Sequence, residues 1–477
     1  MFQQAKYSHC LAQTSSKQIQ DEVSIWSLFK LSMYQTILNT PTDQSSSFRT
    51  LLAYAVSNAA CGDTNQLNNL TSQIEQRFPS SISTLIEALA PYQAKLALDL
   101  AEKYNINSAM VVALLIYHSQ FEKAEQLLQQ INRANQEDWI NLKLLSVHLQ
   151  SQQSNVCAMN AINEIFHTHQ LALIEKKDPL STCNVKNIQA IPVQPSMRKQ
   201  KSLISIIVTS FNAEQFIEST INSLLLQTYK HIEIIIIDDC STDATWQIIL
   251  QLMAQDKRIK ALQQPINAGT YIAKNRALLM AKGEFVMCHD ADDWSHPQRL
   301  ELQIIPLLQN KKLVATTSNW FRLSDTGEIY TRSIYPISRL NPSSPLFRRK
   351  KIMKQIGFWD SVRTGADSEF LNRIKLQFGE KSVKKIKLPL AIGAHHENSL
   401  MNAPDTGFVN QRIPKDRLDY WESWNRWHIQ AIQHSQNLFI TPFLQSSERK
   451  YSAPKALLVE NQVLNAYSKS FSYSDSK

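Results

Sequence analysis

The chain has 477 residues, 43% of them hydrophobic, which is material for about two to four domains. Its apolar runs stop well short of the ~20 residues of a membrane span, and Met1-Phe2-Gln3-Gln4-Ala5-Lys6 lacks the basic-then-apolar order of a signal peptide. The six cysteines are scattered with no C-x-x-C pair, which argues against a disulfide framework and a zinc site.

The chain is therefore expected in the cytoplasm with reduced thiols, in contact at most with the inner face of the membrane. The net charge of +9 lies wholly in the second part. Residues 1–200 hold 15 Lys+Arg against 15 Asp+Glu, whereas residues 201–477 hold 35 against 26. Eight of the nine glycines also lie beyond position 200. A neutral module with few turns that demand glycine precedes a basic one suited to an anionic ligand or surface. The basic excess is interspersed with acids and no recognition module accompanies it, so nucleic-acid binding is not expected.

Residues 1–190 read as an all-α, solenoid-like domain. Apolar residues recur at three- and four-residue steps over 25–37, 48–61, 82–89, 91–104, 109–117, 121–131, 139–149 and 156–166. Ala113 to Leu128 resembles a tetratricopeptide-type helix pair, although no clean repeat of about 34 residues is present. Such an array offers a surface for a protein partner, for self-association or for an acceptor, and it is expected to fold alone. Residues 191–202, with Pro192, Pro195 and the basic run Arg198-Lys199-Gln200-Lys201, read as a linker.

From residue 203 the pattern changes to continuous apolar strands alternating with helices. The strands are 203–208, 232–237, 260–262 and 284–290, and the helices 213–226, 244–253 and 270–282. This is α/β, a mostly parallel doubly wound sheet that would bind a nucleotide at its C-terminal edge. Neither G-x-G-x-x-G nor a P-loop occurs, so something other than a glycine loop must neutralise phosphate. The last strand runs into Asp290-Ala291-Asp292-Asp293. Three carboxylates so close repel one another unless a cation intervenes, and oxygen ligands suit Mg²⁺ or Mn²⁺. The second strand ends at Asp238-Asp239-Cys240-Ser241-Thr242-Asp243. There Asp243 is placed to cap the following helix, and Asp239 to accept hydrogen bonds from a nucleoside.

These motifs, with Val208-Thr209-Ser210-Phe211-Asn212, Asn267-Ala268-Gly269, Ala273-Lys274-Asn275-Arg276 and Ala281-Lys282-Gly283-Glu284, stand in the order and spacing of family 2 glycosyltransferases. The resemblance covers about residues 203–400. It implies a GT-A domain, here placed at 203–410, that takes a nucleotide-diphosphate sugar, a UDP-sugar in this reading, with a divalent metal and inverts the anomeric carbon. It assigns Thr209, Phe211 and Asp239 to the nucleoside, Asp290 to ribose and metal, and Asp292 to the metal. Cys240 stands where the family has glycine. Lys274 stands where it commonly has arginine, and meets phosphate as a point charge without the bidentate fork.

Beyond the acids a hairpin is expected across Asp325-Thr326-Gly327. In the family the stretch Gly365-Ala366-Asp367-Ser368-Glu369-Phe370 supplies the catalytic base at a helix start. Asp367 takes that role here, with Glu369 as the alternative. His395 and His396, in His395-His396-Glu397-Asn398-Ser399, are candidates to complete the metal shell. Residues 411–477 form a helical extension and tail. Tyr420, Trp421, Trp424 and Trp427 make a stripe that packs on the catalytic domain, and the chain is expected to fray beyond Asn437.

The function implied is transfer of a sugar to a hydroxyl of a surface polysaccharide, such as a capsule, or of a glycolipid. The alternative is a helical-repeat interaction protein whose GT-A domain binds a nucleotide sugar without turnover.

Overall fold

In the computed structural model of this chain, the structure describes residues 4–14, 21–41, 47–131, 136–153, 159–196, 201–397, 399, 407 and 413–469. Cys157, the run 198–200 and Asn398 lie outside the described residues.

Helices Gln4–Gln13, Glu22–Lys30, Tyr34–Leu38, Phe48–Cys61, Thr64–Arg77, Ile82–Leu89, Ala94–Lys103, Ala109–Tyr117, Phe121–Gln130, Gln136–Gln153 and Met159–Thr168 follow one another, most of them packed on their sequence neighbours. Local chemistry sets several of their starts. Asp21, Ser47, Asp63 and Ser108 each accept a hydrogen bond from the backbone N–H three residues on. The helix expected at 25–37 is two helices, broken where Ser32 takes a left-handed φ of 55°. The region is not wholly helical. Strands β1 (Ile174–Lys176) and β2 (Ile188–Ala190) form an antiparallel hairpin at its end.

The remaining strands are β3 (Ile204–Ser210), β4 (Ile232–Asp238), β5 (Ile259–Gln263), β6 (Phe285–Asp290), β7 (Asp293–Ser295), β8 (Ala315–Ser324), β9 (Ile329–Tyr330), β10 (Arg339–Leu340), β11 (Leu346–Arg348) and β12 (Val383–His395). They form one sheet in the order β5-β4-β3-β6-β11-β8-β12-β7, with β9 and β10 paired to β8. The first four strands are parallel, β11 is antiparallel to both its neighbours, and β12 returns parallel to β8.

Alternation explains the unbroken apolar runs of β3, β4 and β6, because both faces are covered. Ile204, Ile206, Ile234 and Met287 pack towards helices Ile217–Leu225, Thr245–Gln255 and Arg299–Gln309. Ile207, Ile235, Val286 and Cys288 pack towards helices Thr270–Met280, Arg349–Gln355, Ala366–Phe378 and Lys415–Gln433.

Two expectations are corrected. The helical region does not close a core of its own: its buried residues are continuous with Phe216, Trp294, Phe321, Leu323, Ile329 and Ile392 of the sheet region. Residues beyond Asn437 do not fray as far as Lys469, because Leu438, Ile440, Phe443, Tyr451, Leu457, Val459, Leu464 and Tyr467 are buried. Alternating polar residues hid that apolar set. The tryptophan stripe does pack inward, with Trp424 fully buried and Trp427 nearly so. No helix among the described residues is long and apolar enough to cross a membrane.

Candidate active site

Register brings the strand-end residues together. Thr209 of β3 lies opposite Asp290 of β6, and Ser210 opposite Asp238 of β4, all at the C-terminal edge of the parallel strands. The Thr209 and Thr270 hydroxyls are 2.8 Å apart, tying β3 to the start of helix Thr270–Met280. Phe211, just past β3, leaves 49% of its surface exposed, a platform on which a base could stack.

Asp239 is placed differently from the expectation. It is buried, and its carboxylate accepts from Gln264 Nε2 (2.5 Å), Ala268 N (2.8 Å) and Gly269 N (2.7 Å). It fastens the 264–269 loop, and burial pushes its carboxyl up against the pull of those bonds. Cys240 takes a φ of 66°, the left-handed conformation that accounts for glycine being usual there. Asp243 stands one residue ahead of the N-cap, which is Ala244, and its carboxylate accepts from Thr245 N at 3.0 Å and Glu214 N at 3.1 Å.

The protein itself partly relieves the repulsion among the acids. Lys274, 1% exposed, places Nζ 3.0 and 3.1 Å from the two Asp367 oxygens and 3.8 Å from Asp290 Oδ1. Burial opposes its charge, yet Asp367 and Asp290 outweigh it and hold the ammonium well above the usual lysine range. One cation shared by two carboxylates gains from both, whereas each carboxylate gains from one cation and is repelled by the other acid. Burial and Asp290 accordingly push Asp367 up despite Lys274, while Asp290, against its own burial, is held down by Lys274 and by Ser343 Oγ donating at 2.9 Å. Asp293 is buried with Oδ2 unpaired among the described residues. Burial, Asp292 and Asp290 push its carboxyl well above the ordinary carboxylate range.

Of the metal candidates the structure joins two. His396 Nε2 and Asp292 Oδ2 are 3.1 Å apart, and Phe216 stacks on the His396 ring with centroids 4.8 Å apart. That separation is close to the edge of an octahedron with bonds of about 2.1 Å, so a carboxylate and an imidazole here fit adjacent positions around Mn²⁺ or Mg²⁺. His395 is corrected out of the set. Consecutive residues at the end of β12 face opposite sides, and its ring stacks on Tyr330 with centroids 3.4 Å apart. Burial, Arg322 and His396 pull its imidazole down to about 4. Asp290 is committed to Lys274 and Ser343, and no group of three or more His, Cys, Asp or Glu side chains poised for a metal occurs among the described residues.

Asp367 lies at the start of helix Ala366–Phe378, behind Gly365, whose φ of 93° admits the turn. Tyr271 Oη donates to Asp367 Oδ2 at 3.1 Å. Glu369 is corrected from alternative base to structural anion. It is fully buried, bound by Arg373 Nε and Nη2 (2.7 and 2.8 Å) and His428 Nε2 (3.0 Å), so no acceptor can reach it. Tyr271 and Ser343 were not singled out from sequence. Tyr271 stands three residues before Lys274 on one helical face, a readable signal, whereas Ser343 sits in a loop with none.

Residues 205–370 match the family model described as glycosyl transferase family 2. These residues form a family 2 glycosyltransferase domain. In the whole chain this GT-A domain is preceded by the helical region. The glycosyltransferase domain is 39% identical over 119 residues to UDP-Glc:alpha-D-GlcNAc-diphosphoundecaprenol beta-1,3-glucosyltransferase WfaP of Escherichia coli, covering 25% of this chain and 46% of that protein. It is 33% identical over 129 residues to glycosyltransferase GlyG of Streptococcus pneumoniae, covering 27% of this chain and 42% of that protein. The chain thus spans less than half the length of these relatives. Among solved structures, S. aureus TarS 1-349 in complex with UDP-GlcNAc matches at 21% identity and TM-score 0.35, over 43% of this chain and 61% of that chain. Mannosyltransferase PcManGT from Pyrobaculum calidifontis, in complex with GDP-Man and Mn2+, matches at 17% identity and TM-score 0.32, over 58% of this chain and 71% of that chain.

Proposed function

We propose that the chain is an inverting, metal-dependent glycosyltransferase that moves a sugar from a UDP-sugar to a hydroxyl of a surface polysaccharide or glycolipid acceptor. The observation that carries this is the convergence of Asp367 and Asp290 on the single ammonium of Lys274, at the edge where parallel strands present a nucleotide. A donor diphosphate is the anion best suited to draw Lys274 from Asp367. The freed carboxylate then removes the acceptor hydroxyl proton as the oxygen attacks opposite the departing diphosphate. Tyr271 holds Asp367 in place through its hydroxyl. Asp292 and His396 are the residues that would hold the divalent ion, which when bound neutralises the leaving diphosphate. Thr209 and the exposed ring of Phe211 line the nucleoside end.

Calorimetry with UDP tests the donor and metal parts together. UDP should bind with Mn²⁺ present and lose at least tenfold in affinity in Asp292→Ala. Undiminished UDP affinity in EDTA would overturn the metal assignment.

A further inference from the structure

The reading above leaves unused a set of arginines between the helical region and the acidic edge. Arg339 of β10 pairs with Trp320 of β8, and Tyr330 of β9 pairs with Arg322, two residues along β8 from Trp320. Alternation therefore puts Trp320, Arg322, Tyr330 and Arg339 on one face of the sheet. Opposite them on β12 stands Gly393, where an added Cβ would come within 2.7 Å of the Trp320 ring and 3.1 Å of Arg322 Cγ. Its missing side chain gives Arg322 room beside the Trp320 ring, at 4.3 Å from its centroid.

The arginines are crowded and only partly covered. Arg332 is exposed and Arg322 and Arg339 are partly so, yet Arg322 keeps Nε and Nη1 buried with no hydrogen-bond partner among the described residues. Arg339 Nη1 donates to Ser333 Oγ at 2.5 Å. Burial, with Arg332 and Arg322 beside it, pulls its guanidinium down to about 9. Two links tie this face to the reacting groups. Gly393 of β12 pairs with Arg322 on one side and with Asp293 of β7 on the other, and the field of Arg322 reaches Asp290 and Asp293.

We infer that Arg322, Arg332 and Arg339 form the acceptor's anchor, binding a phosphate or carboxylate that the acceptor carries beside the hydroxyl to be glycosylated. The inference rests on the glycosyltransferase reading and extends it to the class of acceptor. An oxyanion would satisfy the orphaned nitrogens of Arg322 and relieve repulsion among like charges, and a guanidinium fork matches both anions.

The test is calorimetry and thermal melting of the full chain with phenyl phosphate and, separately, glucuronate, with and without saturating UDP and Mn²⁺. At least one anion should raise the melting temperature and bind the UDP-saturated protein, with an affinity that falls as salt rises. Arg322→Gln and Arg339→Gln should each weaken it tenfold or more, keep UDP affinity within about twofold, and melt no lower than the parent without anion. Phosphate and glucuronate arms tell a phosphate-bearing acceptor from a uronic acid. Anion binding that UDP displaces, binding indifferent to both substitutions, or no binding of either anion overturns the inference. Should a variant fail to fold, the parent's titration with and without UDP still decides. Loss of UDP binding alone would instead break the underlying reading, and would leave arginine-dependent anion binding standing.

Discussion

At the residue scale, the two acids of the Asp367-Ser368-Glu369 stretch separate by burial and partner rather than by type. Asp367→Asn should reduce turnover by roughly 10²–10⁴-fold with UDP affinity nearly unchanged, because the amide keeps the shape but cannot take the proton. Glu369→Gln should act on stability instead. It leaves the Arg373 guanidinium buried without its anion, at a cost of about 3 kcal/mol or more, which a denaturant midpoint would register. If Glu369→Gln abolished turnover in a fully folded protein, the assignment would move by two residues. A second consequence concerns acid. His296 is buried between Phe166 and Trp294, bound to Ala172 O at 3.0 Å, and burial pulls its imidazole down to about 4. Its neutral form is the folded one. Its contribution is therefore whole above the ordinary histidine value of about 6.5 and is lost as the pH falls towards 4, because only the unfolded chain takes the proton. Between about pH 7 and about pH 5 this one group should remove roughly 2 kcal/mol of unfolding free energy, and His296→Gln should flatten that part of the profile.

At the scale of elements, the C-terminal segment acts on a loop at the nucleotide edge. Tyr467, on helix Asn461–Lys469, donates from Oη to Ile266 O at 2.7 Å, and Arg276 stacks on its ring while donating to Gln264 Oε1 at 3.1 Å. Gln264 and the backbone of Ala268 and Gly269 in turn hold Asp239. Tyr467→Phe removes one bond of about 1 kcal/mol, so UDP should bind about fivefold more weakly, while removal of residues 438–469 should cost far more. Equal UDP affinity in both would show that the loop does not shape the nucleotide site. Sequence disclosed the elements that are apolar on both faces: Ile232 to Ile237 can only be a buried strand. It did not disclose helix Thr64–Arg77, where Asn and Gln residues surround Leu67, Leu70 and Ile74, or the full length of β12, whose Lys-rich start and Pro389 disguise a strand paired along β8. The acidic motif was legible, but its neutralisation was not. Lys274 and Asp367 lie 93 residues apart, and only the fold shows that one ammonium serves both ends of the site.

At the scale of the molecule, the helical region and the sheet are one packed body, joined also by helix Lys415–Gln433. Glu422 on that helix accepts from Gln35 N (2.6 Å), Thr36 N (3.1 Å) and Thr36 Oγ1 (2.6 Å), and Trp421 Nε1 donates to Leu31 O at 2.7 Å. A carboxylate at the start of helix Tyr34–Leu38 meets both its open N–H groups and its positive end. Residues 1–195 made alone should therefore aggregate or melt well below the parent, in contrast to the independent module read from composition. A monodisperse fragment melting as the parent does would refute the shared core. The same latch carries a timing consequence. Glu422 lies 387 residues after Gln35, so at a synthesis rate of about 5–20 residues per second the first helices emerge from the ribosome roughly 20 to 80 s before the carboxylate that seats them. During that interval helix Phe48–Cys61 can cover part of their apolar face, but the surface that meets helix Lys415–Gln433 stays open until that helix is made.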